Sequence, residues 1–343
     1  MTASPHNNLS VQRGELHPTH ELLDITGWFT AAVASGPPIP TTQPPASQPP
    51  TTPAPTSPTT PPPTEPDGKI AFARSNQIYT IDPDGTDEAK LTSGDKNYWP
   101  RWSPNGQQIA YVHETAASHE VWLMNADGTG KRKLATTGTS FGVDWSPDGT
   151  RIVLPTSPVT IITLATGEVE TLRGVNVYWN PGEPVQDFYI HGTPTWSADG
   201  TRIAAYSENV SGLSENVLGY FDLTRYEFGA EASNRGVTCE TLGEPTFSSD
   251  GAFLAYMVIE EVWEGDEVHC TPSRIKTKAI NGAAVPALTS LDYDRQIAFA
   301  PSGTRTVIMN DSFATAKLYT AAANGTGRTF LVNGYQPDWE HNP

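Results

Sequence analysis

Trp102-Ser103-Pro104-Asn105-Gly106 is the first of a series of related pentapeptides that decide the fold of this chain. The pattern returns as Trp145-Ser146-Pro147-Asp148-Gly149, Trp196-Ser197-Ala198-Asp199-Gly200, Phe247-Ser248-Ser249-Asp250-Gly251 and Phe299-Ala300-Pro301-Ser302-Gly303. The repeat aromatics are 43, 51, 51 and 52 residues apart, and Gln336-Pro337-Asp338-Trp339 follows as a shortened sixth copy. A fixed element at this period indicates repeated units of the size of a four-stranded propeller blade, about 40–50 residues.

Each copy predicts a tight hairpin between two strands. Pro presets φ for the first central position of a type I turn, and Gly tolerates the backbone conformation that follows. A short apolar strand comes after each turn, as in Gln108–Val112 and Leu254–Met257. A third strand then ends in a Gly turn such as Asp127-Gly128 or Asn324-Gly325, which is a strong hairpin signal. A fourth short strand, such as Phe330–Val332 or Ala287–Thr289, completes the unit.

The two ends of the array complete one another. Residues 69–92 contain three strand-like segments, and no aromatic-turn element precedes them. The segment Tyr335–Trp339 supplies the missing first strand. Pairing the last strand with the first blade closes the ring and leaves no open edge between the terminal blades. The sequence therefore predicts an all-β, six-bladed propeller of four-stranded antiparallel blades.

The Trp-Ser-Pro-Asp-Gly turns, the Ile-Ala-Tyr type of strand and the Asn-Ala-Asp-Gly turn resemble the repeats of the TolB-like β-propeller family, also called PD40 or WD40-like repeats. The likeness covers about residues 69–340. It implies a protein-interaction scaffold of the bacterial cell envelope, although some propellers of this type are fused to enzymes or have become enzymes. TolB itself carries an α/β domain before its propeller, and the 68 residues that precede this one do not resemble such a domain.

The region before the propeller divides into two segments. Residues 37–68 hold 14 of the 31 prolines, mixed with Thr, Ser and Ala. This composition predicts a disordered, extended linker, because it cannot bury enough apolar surface to offset its ordering entropy. Residues 1–36 form a tail with an unconvincing export signal, since Asp24 interrupts its apolar stretch. We expect domains at 1–36, 37–68 and 69–343, and an extracytoplasmic location, either periplasmic, secreted or tethered to the surface.

The negative net charge of the chain argues against polyanionic partners. The chain carries a net charge of −17 and has no basic cluster, which argues against nucleic acid and anionic membranes. No apolar run approaches the roughly 18 residues of a membrane-spanning helix. A protein or polysaccharide partner fits better, and we expect the protein to be monomeric.

Long loops are predicted to gather on one face of the disc. The insertions Arg173–Thr193, Ser207–Asn216, Tyr226–Glu244 and Glu260–His269 all fall between blades or between the second and third strands. Such loops on a rigid scaffold are the expected place for binding. Aromatic and carboxylate side chains there suit a protein or carbohydrate ligand. The candidate binding residues are Trp179, Tyr189, His191, Glu260, Trp263, Asp266 and His269.

Several motifs indicate structure more strongly than chemistry. Gly138-Thr139-Ser140-Phe141-Gly142 matches a nucleophile elbow but runs into the next repeat and is predicted as a loop. Asp82–Asp87 resembles a calcium loop but lacks its terminal Glu, so we predict a hairpin turn. We expect no cofactor, with a divalent cation such as calcium as the alternative. Cys239 and Cys270 lie near the same blade, and either a disulfide or two buried thiols fits the sequence.

A second candidate site lies at the channel. The residues before the repeat aromatics include Arg101, Asp144 and Asp338, which either ring a ligand group or pair with one another and with water. The leading prediction is a non-enzymatic scaffold that binds a protein or glycan through the long-loop face of blades 4 and 5. One alternative is a carbohydrate-active lyase or hydrolase with a metal-assisted site on that face, and another is a sensory module of a larger protein.

Overall fold

The computed structural model describes residues 67–156, 158–176, 186–187, 190, 192–208, 216–225, 227–234, 241–264, 267–280, 285, 287–312 and 315–341. Every described residue belongs to the unit Pro61–Pro343. Within the described residues no helix is present, so none could span a membrane. The domain boundaries proposed for residues 1–68 stay predictions.

Twenty-seven strands in the described part of the chain form the sheets of a six-bladed ring. Blade 1 contains β1 (Ile70–Arg74), β2 (Gln77–Ile81) and β3 (Ala89–Lys90), completed by the last strand of the chain. Blade 2 contains β4 (Lys96–Trp102), β5 (Gln108–Glu114), β6 (His119–Asn125) and β7 (Arg132–Thr136). Blade 3 contains β8 (Asp144–Trp145), β9 (Arg151–Leu154), β10 (Thr160–Thr163) and β11 (Val169–Thr171). A hairpin follows, β12 (Arg173–Asn176) and β13 (Gln186–Asp187).

The second half of the chain continues the pattern with one addition. Blade 4 contains β14 (Thr195–Trp196), β15 (Arg202–Glu208), β16 (Asn216–Asp222) and β17 (Glu227–Asn234). Blade 5 contains β18 (Thr241–Phe247) and β19 (Phe253–Ile259), then the added hairpin of β20 (Glu261–Glu264) and β21 (Glu267–Cys270), then β22 (Arg274–Ala279). Blade 6 contains β23 (Asp294–Phe299), β24 (Arg305–Asn310), β25 (Lys317–Ala322) and β26 (Thr329–Asn333), and β27 (Tyr335–Trp339) ends the ring. The predicted six-bladed all-β propeller is confirmed.

The core lies between the blades rather than inside any one of them. Six apolar clusters separate successive blades, and each contains one repeat aromatic. The second strands are buried on both faces, as in β19, because each blade packs against two neighbours. The repeat aromatics at the six interfaces are Trp102, Trp145, Trp196, Phe247, Phe299 and Trp339, and each is at most 8% exposed.

Side-chain hydrogen bonds hold the repeat turns. In blade 3 the Ser146 hydroxyl lies 2.6 Å from Asp148 Oδ1 and accepts from the backbone N–H of Arg151 at 2.9 Å. Asp148 Oδ1 also accepts from the N–H of Thr150 at 3.0 Å, and Gly149 has φ of 69°. The Ser146 hydroxyl and these backbone hydrogen bonds hold the pKa of Asp148 below its usual range. The motif is thus a fastened hairpin, which explains its recurrence.

The ring closes as the sequence predicts. β27 pairs antiparallel with β1, with Ile70 opposite Trp339 and Ala71 opposite Asp338. The Glu340 N–H donates to the Lys69 carbonyl at 2.8 Å, and the Lys69 N–H donates to Glu340 Oε2 at 2.7 Å. The first blade is therefore built from both ends of the described chain.

Two insertions contain more regular structure than their composition predicts. Tyr226–Glu244 was predicted as a loop but includes β17, the outer strand of blade 4, along with the start of β18. Its sequence Glu-Phe-Gly-Ala-Glu-Ala-Ser-Asn has low strand propensity, and pairing with β16 on one side and β12 on the other overrides that. Within Arg173–Thr193, β12 runs parallel to β17 and covers the outer edge of blade 4.

The predicted outer strand of blade 5, Ala287–Thr289, is wrong, because these residues form no strand. Pro286 precedes them in the sequence and has no N–H to give to a ladder. Thr289 still donates its N–H to the Asn324 carbonyl of blade 6 at 2.7 Å. The segment is therefore hydrogen-bonded to blade 6 through Thr289, but it does not form a fourth strand of blade 5.

Candidate functional site: the blade 5 hairpin and the central channel

The hairpin β20–β21 replaces the short connection that blades 1, 2, 3 and 6 have between their second and third strands. Its register pairs Glu261 with Cys270 and Glu264 with Glu267. At its base the Thr271 N–H donates to the Glu260 carbonyl at 2.9 Å, and the Glu260 N–H donates to Thr271 Oγ1 at 2.9 Å. These bonds make the hairpin a continuation of blade 5 rather than a loose loop. It lies on the long-loop face, defined here as the face that carries the second-to-third loops and the blade-to-blade connections.

Exposed apolar side chains concentrate on this hairpin and beside it. Trp263 is 62% exposed and Val262 is 42% exposed. In the connection from blade 5 to blade 6, Leu291 is 52% and Tyr293 is 45% exposed. These four, the apolar set, are two thirds of the large exposed hydrophobic residues that the described part contains, the others being Val169 and Phe330. Scattered exposed apolar residues are ordinary, but a concentration on one sector indicates an interaction surface.

The two segments that carry the apolar set meet at the start of β22. Arg274 Nε donates to Asp292 Oδ1 at 2.8 Å, and the Ile275 N–H donates to Ser290 Oγ at 2.8 Å. Arg274 follows the hairpin by four residues, and Ser290 and Asp292 flank Leu291. The connection is therefore fixed beside the base of the hairpin.

The predicted binding residues are only partly described. Glu260, Trp263 and His269 come together on or beside the hairpin, where Glu260 pairs with Lys276 at 2.5 Å and His269 Nε2 lies 3.7 Å from Glu267. Trp179, Tyr189, His191 and Asp266 lie outside the described residues. Cys270 is disulfide-bonded, but Cys239 also lies outside them, so the pairing stays a prediction. The described residues hold no group of three or more His, Cys, Asp or Glu arranged for a metal ion.

The channel is lined by two rings of side chains from the innermost strands. One ring is one position before the repeat aromatics and contains the predicted Arg101, Asp144 and Asp338. The other ring is three positions before them, where three non-Gly residues have positive φ: Trp99 at 55°, Glu244 at 50° and Gln336 at 56°. Sequence reasoning missed this second ring, because register shifts such as the one between Tyr98 and Arg101 interrupt the strand alternation from which a sequence pattern is read.

Carboxylates of the first ring join neighbouring blades. Asp338 Oδ2 accepts from the Trp102 N–H at 2.7 Å, and Asp144 Oδ2 accepts from the Trp196 N–H at 2.7 Å. Thr195 Oγ1 also donates to Asp144 at 3.1 Å. In each case the acid of one blade receives the backbone of the next blade. These side chains therefore serve the ring itself, whatever else they bind.

The channel contains more acid than base. Burial raises the pKa of Asp144 to about 6, against the lowering effects of Arg101 and of the Trp196 hydrogen bond. Burial likewise raises the pKa of Asp338, with Arg101 again acting against it. Burial raises the pKa of Glu244, which is hydrogen-bonded to Gln296 and lies within the field of Arg101 and Arg295. The positive charge of Arg101 thus lowers the pKa of three carboxyl groups and partly offsets the effect of their burial.

Two cavities lie along the channel. On the short-turn face a cavity of about 350 Å³ is lined by all six innermost strands and by turn residues such as Pro104 and Pro147. On the long-loop face a cavity of about 400 Å³ is lined by Trp99, Arg295, Asp311 and Tyr335, among others. Glu244 and Gln296 line both cavities. The long-loop mouth opens on the side of the disc that carries the apolar set.

No family model matches the chain, and no curated protein matches it. Among solved structures, TolB from Acinetobacter baumannii superposes with a TM-score of 0.61 at 19% identity, covering 81% of this chain and 67% of that one. The chain is a six-bladed propeller of TolB-like fold. A TolB protein from Agrobacterium tumefaciens gives 0.54 at 15% identity over 78% of this propeller and 89% of its own chain. A chain of the nidogen–laminin complex gives 0.54 at 8% identity, covering 80% of the propeller and 99% of that chain. At these identities the likeness establishes the fold and leaves the activity open.

Proposed function

We propose that this propeller is a non-enzymatic scaffold that binds a protein or glycan partner through its long-loop face at blades 4 and 5. It acts outside the cytoplasm, in the cell envelope, and residues 37–68 tether it. The observation that carries the proposal is the exposure of Trp263 on a hairpin that is hydrogen-bonded at its base. A large rigid ring held in solvent provides contact area at low cost in conformational entropy.

The position of the hairpin supports the same function. The inter-blade clusters include neither Val262 nor Trp263, so the core does not depend on their side chains. The acidic chain disfavours polyanionic partners. Blade 6 and the nearby channel mouth extend the surface, because Leu291 and Tyr293 lie beside the hairpin base.

The test compares Trp263→Ala with Phe330→Ala. Phe330 is an exposed aromatic on the outer strand of blade 6, away from the hairpin, and is 53% exposed. We expect Trp263→Ala to weaken binding to partners captured from an envelope extract, or to glycans on an array, by about 5- to 150-fold. Phe330→Ala should retain binding, and both variants should melt like the parent. Equal binding by parent and Trp263→Ala would remove the assignment to this face.

A further inference from the structure

The charged side chains at the short-turn end of the channel surround one cavity, and the guanidinium among them is unpaired. Arg101, Asp144, Glu244 and Asp338 all line this cavity of about 350 Å³. Arg101 donates one N–H to the Pro100 carbonyl at 3.0 Å and, within the described part of the chain, forms no ion pair with a carboxylate. A guanidinium has five N–H donors and stays charged in proteins. The cavity therefore contains a positive group without an ionic partner, although three carboxyl groups line the same space.

The two aspartates of the cavity each use a single oxygen in the ring. Oδ2 of Asp338 accepts from the Trp102 N–H, and Oδ2 of Asp144 accepts from Thr195 and Trp196. No described group donates to Oδ1 of either aspartate, and neither Oδ1 atom is fully enclosed by protein. Both atoms are therefore free to accept a hydrogen bond from a molecule in the cavity.

The four charged groups have a definite order around the ring. Asp338 belongs to blade 1, Arg101 to blade 2 and Asp144 to blade 3, so one acid lies on each side of the guanidinium. Glu244 belongs to blade 5, which is opposite blade 2 in a ring of six, and it accepts a hydrogen bond from Gln296. A group that binds anions is thus flanked by two groups that bind cations, with a third across the channel.

We propose that this cavity binds a free basic amino acid such as lysine. Arg101 holds the α-carboxylate, Asp144 and Asp338 accept from the α-ammonium, and Glu244 accepts from the side-chain ammonium. A metal ion or a simple amine would leave the guanidinium unpaired, and an organic anion would leave the three carboxyl groups unpaired. The inference is independent of the proposed function, which concerns the long-loop face.

The size and electrostatics of the cavity agree with a ligand of this kind. A volume of about 350 Å³ lies within the range of small-molecule sites, about 300–1,000 Å³. Burial raises the pKa of all three carboxyl groups, so a bound ammonium would offset the unfavourable effect of burial on their charged forms. Carboxyl groups with shifted pKa values in a cleft are typical of functional sites.

The experiment is calorimetric titration of the full-length protein at pH 7.5 with three ligands of equal carbon chain. L-Lysine carries all three charged groups, cadaverine lacks the carboxylate, and L-norleucine lacks the side-chain ammonium. We expect lysine to bind with a Kd below about 1 mM. Cadaverine and norleucine should each bind at least about tenfold more weakly, because each leaves a charged group of the cavity without its partner.

Variants assign the ligand groups to residues. Arg101→Gln should weaken lysine binding about tenfold or more and leave cadaverine binding unchanged or tighter, because it removes a repelling charge. Glu244→Gln should weaken lysine binding by a similar factor and change norleucine binding by less than about twofold. Arg132→Gln and Glu170→Gln make the same substitutions at exposed positions on the outer strands of blades 2 and 3, and should leave all three affinities unchanged.

Three results would overturn the inference. Lysine that does not bind at 10 mM would show that the cavity holds water alone. Cadaverine that binds as tightly as lysine would show a site for cations without a role for Arg101. Equal weakening of lysine binding by Arg101→Gln and Arg132→Gln would show an effect of overall charge. If thermal unfolding shows that Arg101→Gln is not folded, the comparison of the three ligands on the parent protein decides by the same criteria.

Discussion

At the scale of single residues, the channel acids show how one residue type takes opposite properties in this fold. Asp144 lies inside the channel, where burial raises its pKa to about 6. Asp148, four residues later, lies in a surface turn whose hydroxyl and N–H groups hold its pKa below the usual range. Folding therefore stabilises the neutral form of the Asp144 carboxyl group and the charged form of the Asp148 carboxylate. The two should respond to pH in opposite directions.

Replacing Asp144 by Asn should stabilise the propeller above pH 6. Between the ordinary pKa of an Asp, near 4, and its raised pKa in the folded protein, the folded state binds more protons than the unfolded state. The free energy of unfolding therefore falls as the pH rises through this range, and it stays lowered at higher pH. Asn keeps an oxygen that can accept from the Trp196 N–H and carries no charge. We expect the variant to gain about 1 kcal/mol at pH 7.5 and nothing near pH 4, measured by thermal or urea unfolding. Asp148→Asn is the control and should lose stability at pH 7.5. A parallel loss in both variants would contradict this account of Asp144.

At the scale of elements, the repeat turn is fastened by a buried serine. The Ser146 hydroxyl contacts Asp148 and accepts from the Arg151 N–H, joining both ends of the turn. The Ser146 residue is fully buried, so water cannot replace these bonds. Blade 6 has Ala300 at this position and folds the same turn. The serine thus strengthens a hairpin that proline and glycine already favour.

Ser146→Ala should lower the free energy of unfolding by about 1–2 kcal/mol, because it leaves the Arg151 N–H without its side-chain acceptor. This corresponds to a fall of about 2–8 °C in melting temperature for a domain of this size. Ser302→Ala removes an exposed hydroxyl from the turn of blade 6 and should melt within error of the parent. Equal melting temperatures for parent and Ser146→Ala would show that the turn does not need the hydroxyl.

The sequence predicts the elements better than it predicts the binding surface. Repeat aromatics, turns and second strands recur with strong local signals, so β5, β9 and β24 lie where they are expected. β17 has little strand propensity and depends on β12, a segment from the preceding connection, which local sequence does not reveal. The second channel ring depends on backbone bulges, as between Tyr98 and Arg101. The exposure of Trp263 depends on a hairpin that only the three-dimensional structure defines.

At the scale of the whole molecule, stability depends on joining the first blade. Trp339 is 1% exposed in the cluster between blades 6 and 1, with Arg305 placed 5.4 Å above its ring centre. Lys69 pairs with Asp82 at 2.8 Å and its backbone bonds Glu340. The hydrogen bonds between Lys69 and Glu340 link residues 271 positions apart in the chain. Their loss would open an edge on β1 and uncover the cluster.

Deleting residues 334–343 should therefore destabilise the propeller strongly. The deletion removes β27, with its aromatic and its ladder to β1, and a buried aromatic alone is worth about 3–5 kcal/mol. We expect a large fall in melting temperature and association through the exposed edge, measured by calorimetry and light scattering. Removal of residues 342 and 343 alone is the matched control. A chain without β27 that melts like the parent and stays monomeric would contradict the closed ring.

The pairing of β27 with β1 also brings the two ends of the described chain together, so that the chain could begin at a different blade and still form the same ring. Because Glu340 and Lys69 are hydrogen-bonded neighbours, a short linker can join residue 341 to residue 67. New ends can then be opened in the connection between β7 and β8, where no ladder is cut. Such a circular permutant would preserve every strand pair. Blade 1 would then be a continuous segment, in which β27 and β1 are separated only by the linker. In the native chain, β1 cannot pair with β27 until the last strand has been synthesised. Because the permutant brings these two strands close together in sequence, we expect it to fold faster and to reach the same folded structure.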